Sequence, residues 1–324
     1  MESIPTLSDI KRAHLRILKS IFQTPVLTSH SIDEMVGGNL FFKCENFQKV
    51  GAFKMRGAAN MIFGFRPEDR INGFATHSSG NHAQAVALAS KLAGTKAFVV
   101  MPKNSSKVKI EAVKEYGAEI IFCEPNEQSR QEVCDQVLAD TGAVFVHPFD
   151  DYRIITGQAT AAKELIEEEE DLDYILTPVG GGGLAAGTAL VAKYLDPTLK
   201  VILTEPKNAD DAYQSLKKGS IVPVNEPDTI ADGLRTTIGE KNFDIIKTHV
   251  KEILTVSEKE IIQAMRIIWE RMKIIIEPSS AVPFAAVLKH KKKFHNKRVG
   301  IIFTGGNVDL ANLPFKKSNN QPTD

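Results

Sequence analysis

Tyr174-Ile-Leu-Thr-Pro-Val-Gly-Gly-Gly-Gly-Leu-Ala-Ala-Gly187 reads as a strand that passes through a glycine loop into a helix. Four glycines in a row, Gly180, Gly181, Gly182 and Gly183, leave successive backbone N–H groups unobstructed by any Cβ, and Leu184 follows as the helix begins. N–H groups gathered at a helix start make an anion site, and a phosphate is the expected guest. A dinucleotide site is the rival reading, because Glu205 stands about 20 residues further on, after the next candidate strand. The G-x-G-x-x-G fingerprint, however, cannot be read cleanly from this run. No Gly-Lys-Ser/Thr follows, so a P-loop is excluded.

Outward from this loop, short apolar runs alternate with helical periodicity from about residue 40 to residue 305. Strands are predicted over Leu40–Lys43, Phe74–His77, Ala97–Met101, Glu119–Phe122, Ala143–Val146, Tyr174–Thr177, Val201–Thr204 and Val299–Phe303. Helices are predicted over Asn81–Ala93, Ser105–Tyr116, Gln128–Asp140 and Ser257–Lys273. Ser8 and Ser257 read as helix N-caps, the latter with Glu260 placed for a capping box. Such alternation implies an α/β fold with parallel sheets flanked by helices.

At 324 residues the length favours two lobes. Lys+Arg and Asp+Glu balance at 40 each, which gives no field to attract nucleic acid or an anionic membrane. No apolar run is long enough for a membrane span, and the N-terminus lacks the pattern of a signal peptide. The three cysteines, Cys44, Cys123 and Cys134, show no C-x-x-C spacing and read as reduced thiols of a cytoplasmic protein.

Lys54 lies in Asn46-Phe-Gln-Lys-Val-Gly-Ala-Phe-Lys-Met-Arg-Gly-Ala58, among small residues that suit a tight turn into a helix. Alone, a surface lysine is the stronger reading. Paired with a phosphate cradle, an accessible and partly desolvated lysine suits Schiff-base chemistry, and the pair implies pyridoxal 5'-phosphate. Thr76-His-Ser-Ser-Gly-Asn-His-Ala-Gln84 again joins a strand to a helix. Its N–H groups could hold a substrate carboxylate and Ser79 could transfer a proton, although simple N-capping would account for one hydroxyl. In Phe303-Thr-Gly-Gly-Asn-Val308, Thr304 could meet a pyridine nitrogen with a neutral hydroxyl. Glu205 and Asp211, with a carbonyl near Ala209, offer hard oxygens suited to Mg²⁺, Mn²⁺ or Ca²⁺, but spacing alone favours a helix cap.

These five strings, in this order, resemble the serine racemase and serine/threonine dehydratase family of fold-type II pyridoxal-phosphate enzymes, from about Thr24 to Leu310. Glu205–Ser215, Thr229–Gly233 and Trp269–Lys273 with Glu277-Pro278 are particularly similar to eukaryotic serine racemases. The resemblance implies that Lys54 carries the cofactor and takes the Cα proton, while Ser79 serves the opposite face. It implies that Phe53 packs on the cofactor ring, Asn81 meets its ring oxygen, Gly180–Gly183 with Leu184 hold its phosphate and Thr304 meets its nitrogen. Substrate would lie against Ser78, Ser79, Gly80, Asn81 and His82, and a divalent cation against Glu205, Ala209 and Asp211. The implied fold has a small mobile domain, 73–147, inserted into a large one, 1–72 and 148–324, in a homodimer.

Three departures from relatives stand out: Gly157-Gln-Ala-Thr160 where many read Gly-Gln-Gly-Thr, Phe149 where mammalian racemases carry a polar residue, and Val50 where they carry threonine near a nucleotide site. The expected activity is serine racemisation with elimination from L-serine and L-threonine. A dedicated dehydratase for those substrates or for L-threo-3-hydroxyaspartate is the alternative, with Arg235 as a possible partner for a second carboxylate. A cofactor-binding protein without turnover is the remote one.

Overall fold

Ten strands build two sheets in this computed structural model, which describes residues 3–105, 107–224 and 227–315. They are β1 (Val26–Leu27), β2 (Asn39–Cys44), β3 (Phe74–His77), β4 (Ala97–Pro102), β5 (Glu119–Cys123), β6 (Val144–Phe145), β7 (Tyr174–Pro178), β8 (Lys200–Pro206), β9 (Glu252–Val256) and β10 (Arg298–Phe303). The larger sheet has the order β1-β2-β10-β7-β8-β9 and the smaller the order β5-β4-β3-β6. Only β1, which pairs with β2, runs antiparallel; the smaller sheet is wholly parallel. All four of its strands come from within residues 73–147.

The central strands are buried on both faces, which is why they read as continuous apolar runs rather than alternating ones. Strand β10 lies between β2 and β7, pairing Phe303 with Cys44 on one side and Ile301 with Leu176 on the other. The carboxyl ends of β2, β10 and β7 therefore share one edge. Open parallel sheets bind their ligands at such an edge.

Helix Lys54–Phe63, helix Tyr152–Glu168 and helix Gly183–Leu195 pack in sequence behind this edge. Their contact depends on small residues: a Cβ on Gly157 would come within 2.5 Å of the Arg56 carbonyl oxygen and 2.7 Å of Gly57 Cα. A Cβ on Gly187 would come within 2.8 Å of the Ala159 backbone nitrogen, so at that crossing too the backbones lie closer than a side chain on Gly187 would allow.

The predicted strands and helices reappear with ends shifted by a few residues at most. Ser106, inside the helix predicted over Ser105–Tyr116, lies outside the described residues; the observed helix is Lys107–Glu115. Strands β1 and β9 were not anticipated: one has two residues and the other is a half-buried edge. Ser257 and Glu260 form the expected capping box. Ser8, in contrast, sits inside helix Leu7–Ile17. Thr6 caps that helix, because its own backbone N–H donates back to the Asp9 carboxylate.

Candidate active site

The glycine loop leaves β7 and enters helix Gly183–Leu195, with Gly182 in the left-handed region at φ 96°. Asn242 Nδ2 donates to the Gly181 carbonyl at 2.7 Å, and the Gly239 N–H donates to it at 3.1 Å. A trans peptide points its N–H away from its C=O, so anchoring this carbonyl turns the Gly182 N–H to the opposite side. The Phe149 ring lies so close that a Cβ on Gly181 would come within 2.2 Å of it. Leu184 is buried in the core, so only its backbone is available to a ligand. A cradle of N–H groups without side chains, at the positive end of a long buried helix, fits a phosphate.

Lys54 opens the helix that follows β2. The chain reaches it through a tight turn in which Val50 (φ 58°) and Gly51 (φ 64°) are both left-handed. This turn is joined to the one after β10: Phe53 N–H donates to the Thr304 carbonyl, and Gly306 N–H to the Gly51 carbonyl, each at 2.9 Å. Lys54 Nζ donates to the Pro148 carbonyl at 2.9 Å and lies 5.1 Å from the centre of the Phe53 ring. Burial pushes the amine's pKa down to about 8, against the pull of the Glu277 carboxylate. Roughly one amine in ten is therefore in the neutral, nucleophilic form at pH 7, far more than for an ordinary lysine. Pro148 and Phe149 join the two halves of the site, one held by the lysine and the other lying on the glycine loop.

Ser78, Ser79 and Gly80 form the half-buried turn from β3 into helix Asn81–Leu92. Gly80 N–H donates to Ser78 Oγ at 3.3 Å. Asn81 Nδ2 donates to both oxygens of Glu277, at 3.0 and 3.2 Å, and Asn307 Nδ2 bridges Asn81 Oδ1 (2.8 Å) and the Val50 carbonyl (2.7 Å). The turn bearing Ser79 is thus tied to the loop bearing Lys54. His82 is buried with Nε2 on the Val146 carbonyl at 3.1 Å; burial, then nearby Lys54, pushes its pKa well below the ordinary value, so the ring is neutral.

Glu277 stood in the sequence only as part of a motif. It is buried, N-caps helix Pro278–Lys289 and accepts from the Thr304 hydroxyl at 3.2 Å as well as from Asn81. Burial, then Asp232 nearby, pushes its pKa up to about 7. Thr304 also shares a hydrogen bond with Ser280 Oγ at 2.9 Å, so its uncharged hydroxyl lies between a second hydroxyl and the Glu277 carboxyl. The one signal in the sequence was the Glu-Pro pair, which marks a helix start and so a fixed acid.

Glu205, on β8, accepts the N–H groups of Ala212 at 3.0 Å and Tyr213 at 2.8 Å. Asp211 Oδ2 accepts from Ile238 N–H at 2.8 Å, while Oδ1 is buried without a partner. Burial raises both acids, and Asp211 further raises Glu205; the pKa of Asp211 reaches about 7. Ala209 is buried in the short turn between them. Among the described residues no cluster of three or more His, Cys, Asp or Glu could hold a metal, so a cation here would need carbonyl and water oxygens besides. Arg235 is exposed and its guanidinium donates to the Thr229 carbonyl at 2.8 Å.

A desolvated lysine and a phosphate cradle at the carboxyl edge of a parallel sheet define the class of enzyme that carries a phosphorylated aldehyde on a lysine. The family profile described as "Pyridoxal-phosphate dependent enzyme" matches residues 17–305, and the chain belongs to that family. It is 48% identical over 312 residues to a beta-hydroxyaspartate dehydratase of Paracoccus denitrificans, covering 96% of this chain and 99% of the relative. It is 50% identical to a serine racemase of Dictyostelium discoideum, covering 95% and 96%. The crystal structure of that racemase superposes with a TM-score of 0.90 over 94% of this chain and 99% of the other. The crystal structure of a threonine deaminase from T.th. superposes with the same TM-score of 0.90 at 40% identity, again over 94% and 99%. The protein is a pyridoxal-phosphate enzyme of the racemase and dehydratase group.

Proposed function

We propose that this chain racemises serine and eliminates water from L-serine and L-threonine, giving an enamine that water then hydrolyses to the 2-oxo acid and ammonia, with its cofactor carried on Lys54. The observation that carries the reading is the Lys54 amine, desolvated and oriented by one carbonyl, with the Ser79 turn hydrogen-bonded to its own loop. Bound here, pyridoxal phosphate would supply an electron sink for the charge left at the substrate's Cα. Gly180–Gly183 and the Leu184 backbone would hold its phosphate, Phe53 its ring, Asn81 its ring oxygen and Thr304 its nitrogen.

The chain's own residues supply the proton transfers. Neutral Lys54 takes the Cα proton from one face, and Ser79 returns one to the other. The N–H groups from Ser78 to His82 hold the carboxylate at a helix start. Neutral hydroxyls at Thr304 and Ser280 leave the pyridine nitrogen without a strong acid beneath it, which favours loss of a β-hydroxyl where one is present. Movement of 73–147 against the rest would close the site and exclude water. A divalent cation held by Glu205, Asp211 and the Ala209 carbonyl would neutralise two buried acids and tie β8 to helix Asp211–Lys218; the unpartnered Asp211 Oδ1 supports it. We extend the reading to a homodimer, supported by the exposed Leu15, Leu18, Phe22 and Phe47, and to the cytoplasm, supported by three buried free thiols.

A second reading, a dedicated dehydratase for 3-hydroxyaspartate or for L-threonine and L-serine, draws on the 48% identity to the Paracoccus enzyme. Purified protein given L-serine, with Mg²⁺ or EDTA, separates the two by chiral chromatography of its products. D-Serine alongside pyruvate supports the racemase, with Ser79→Ala losing D-serine far more than pyruvate. Pyruvate alone, or turnover only with hydroxyaspartate, supports the second reading.

A further inference from the structure

The Lys54 amine rests on a carbonyl, and that carbonyl is set by a histidine. Pro148, which accepts from Lys54 Nζ at 2.9 Å, lies in the turn between β6 and helix Tyr152–Glu168. Inside this turn His147 Nδ1 accepts the backbone N–H of Asp150 at 2.8 Å and of Phe149 at 3.3 Å. A ring nitrogen that accepts carries no proton, so the bonds exist only with a neutral imidazole protonated at Nε2. Burial pushes the ring's pKa down to about 4, helped by His77, Lys54 and Lys241 and opposed by Asp151, so the accepting form persists at neutral pH. Edge-on contacts with Phe145 (5.8 Å) and Phe149 (4.8 Å) fix the plane of the ring.

We propose that His147 is a positioning residue for the lysine: by closing the turn from His147 to Asp150 it aims the Pro148 carbonyl at the free Lys54 amine and fixes that amine's rotamer. A lysine side chain otherwise has four soft torsions, and its lone pair has no preferred direction. With one N–H committed to Pro148, the lone pair keeps a fixed direction each time the amine is set free, both to take a proton and to recapture the cofactor. The same turn places the Phe149 ring on Gly181, so one side chain sets both ends of the site.

The inference rests on Lys54 carrying the cofactor. Three variants test it: His147→Asn, whose side-chain oxygen can accept from the backbone two residues on as in an Asx-turn; His147→Gln, with the same amide one methylene too far out; and His147→Leu, with no acceptor. Two quantities are measured: the rate at which cofactor-stripped protein regains its Schiff-base absorbance with pyridoxal phosphate, and kcat and KM for L-serine. His147→Asn is expected within about threefold of the unaltered protein, and the Gln and Leu variants about 10- to 100-fold slower in both rates with KM little changed. If His147→Leu does not fold, the Asn–Gln comparison decides alone. Equal losses in Asn and Gln, or no loss in either, would overturn the proposal. Lys54→Ala, run alongside, must regain no Schiff-base absorbance; if it does, the error lies in the lysine's assignment and not in His147.

Discussion

Two pairs of buried carboxylates flank the large sheet, and the protein treats them in opposite ways. Glu45 and Glu164 close on Arg56 from two sides, each through two hydrogen bonds of 2.6 to 2.8 Å. Lys43 adds a second cation on Glu164 at 2.8 Å, while Thr24 and Thr160 complete the cluster. Although burial opposes it, hydrogen bonds from His14 and Arg56 hold Glu164 well below the usual carboxylate range. Glu205 and Asp211 are buried as deeply but receive only backbone N–H groups, and among the described residues no lysine or arginine pairs with either. Equal burial therefore carries different meanings. The first pair is complete as folded and locks the start of the Lys54 helix to β2 and to helix Tyr152–Glu168. The second is short of positive charge, which is what the proposed cation would supply.

The largest test removes the compensation from the first pair. Arg56→Met should cost about 3–5 kcal/mol in urea unfolding, since it leaves two acids buried without their guanidinium. A loss below about 1 kcal/mol would mean that water already reaches the cluster. For the second pair the comparison predicts the reverse. Mg²⁺ or Mn²⁺ at about 100 times its Kd should stabilise the protein by about 2.7 kcal/mol, and Glu205→Gln with Asp211→Asn should abolish that response without unfolding the chain. An unaltered protein whose Tm is the same in EDTA and in excess cation would remove the cation from the reading.

The two pairs should also differ in the sign of their pH dependence. Asp211 has a folded pKa raised from 3.8 to about 7, so without metal its contribution is fully present below about pH 4 and is lost as pH rises through about 7. Glu277, raised from 4.5 to about 7, acts in the same direction. Glu164 is lowered from 4.5, so its contribution is present above that value and is lost only in acid. The buried neutral histidines His82 and His147, whose folded pKa values are lowered, act in the opposite sense between about pH 4 and 6.5. The acid's share is therefore read by difference: in EDTA the urea midpoint of the unaltered protein should fall relative to that of Asp211→Asn as pH rises from about 4 to 8, and fall less once cation is added. The smallest effect concerns satisfied polar groups at the surface. Thr6→Ala should cost about 1 kcal/mol by uncapping the first helix, and Ser8→Ala no more than about 0.5 kcal/mol.

What could be read from the sequence was what acts locally. A glycine run after an apolar strand constrains its own backbone, so the loop at Gly180–Gly183 and the strand before it were legible without any partner. Ser257 with Glu260 was legible for the same reason. Ser8 misled because a hydroxyl before an apolar run looks like a cap, while the reciprocal bond from Asp9 selects Thr6. Glu277 was the main site residue left without a role: its partners Asn81 and Thr304 come from distant parts of the chain, and nothing in an isolated Glu-Pro pair says what will face it. The same holds for Asn242, whose amide anchors the glycine loop from another helix. The place of Lys54 was legible only through its pairing with the loop; its hold on Pro148 was not.

Strand β10 is made late yet stands in the middle of the large sheet, between β2 and β7. A ribosome delivers the lysine, the glycine loop and most of the sheet while that slot is still empty, with two strand edges open to any passing partner. The Thr304 turn that receives the Phe53 N–H does not exist until the strand has zipped in. Synthesis alone thus postpones assembly of the reactive centre to nearly the last step, and the half-made chain is the form that most needs a chaperone.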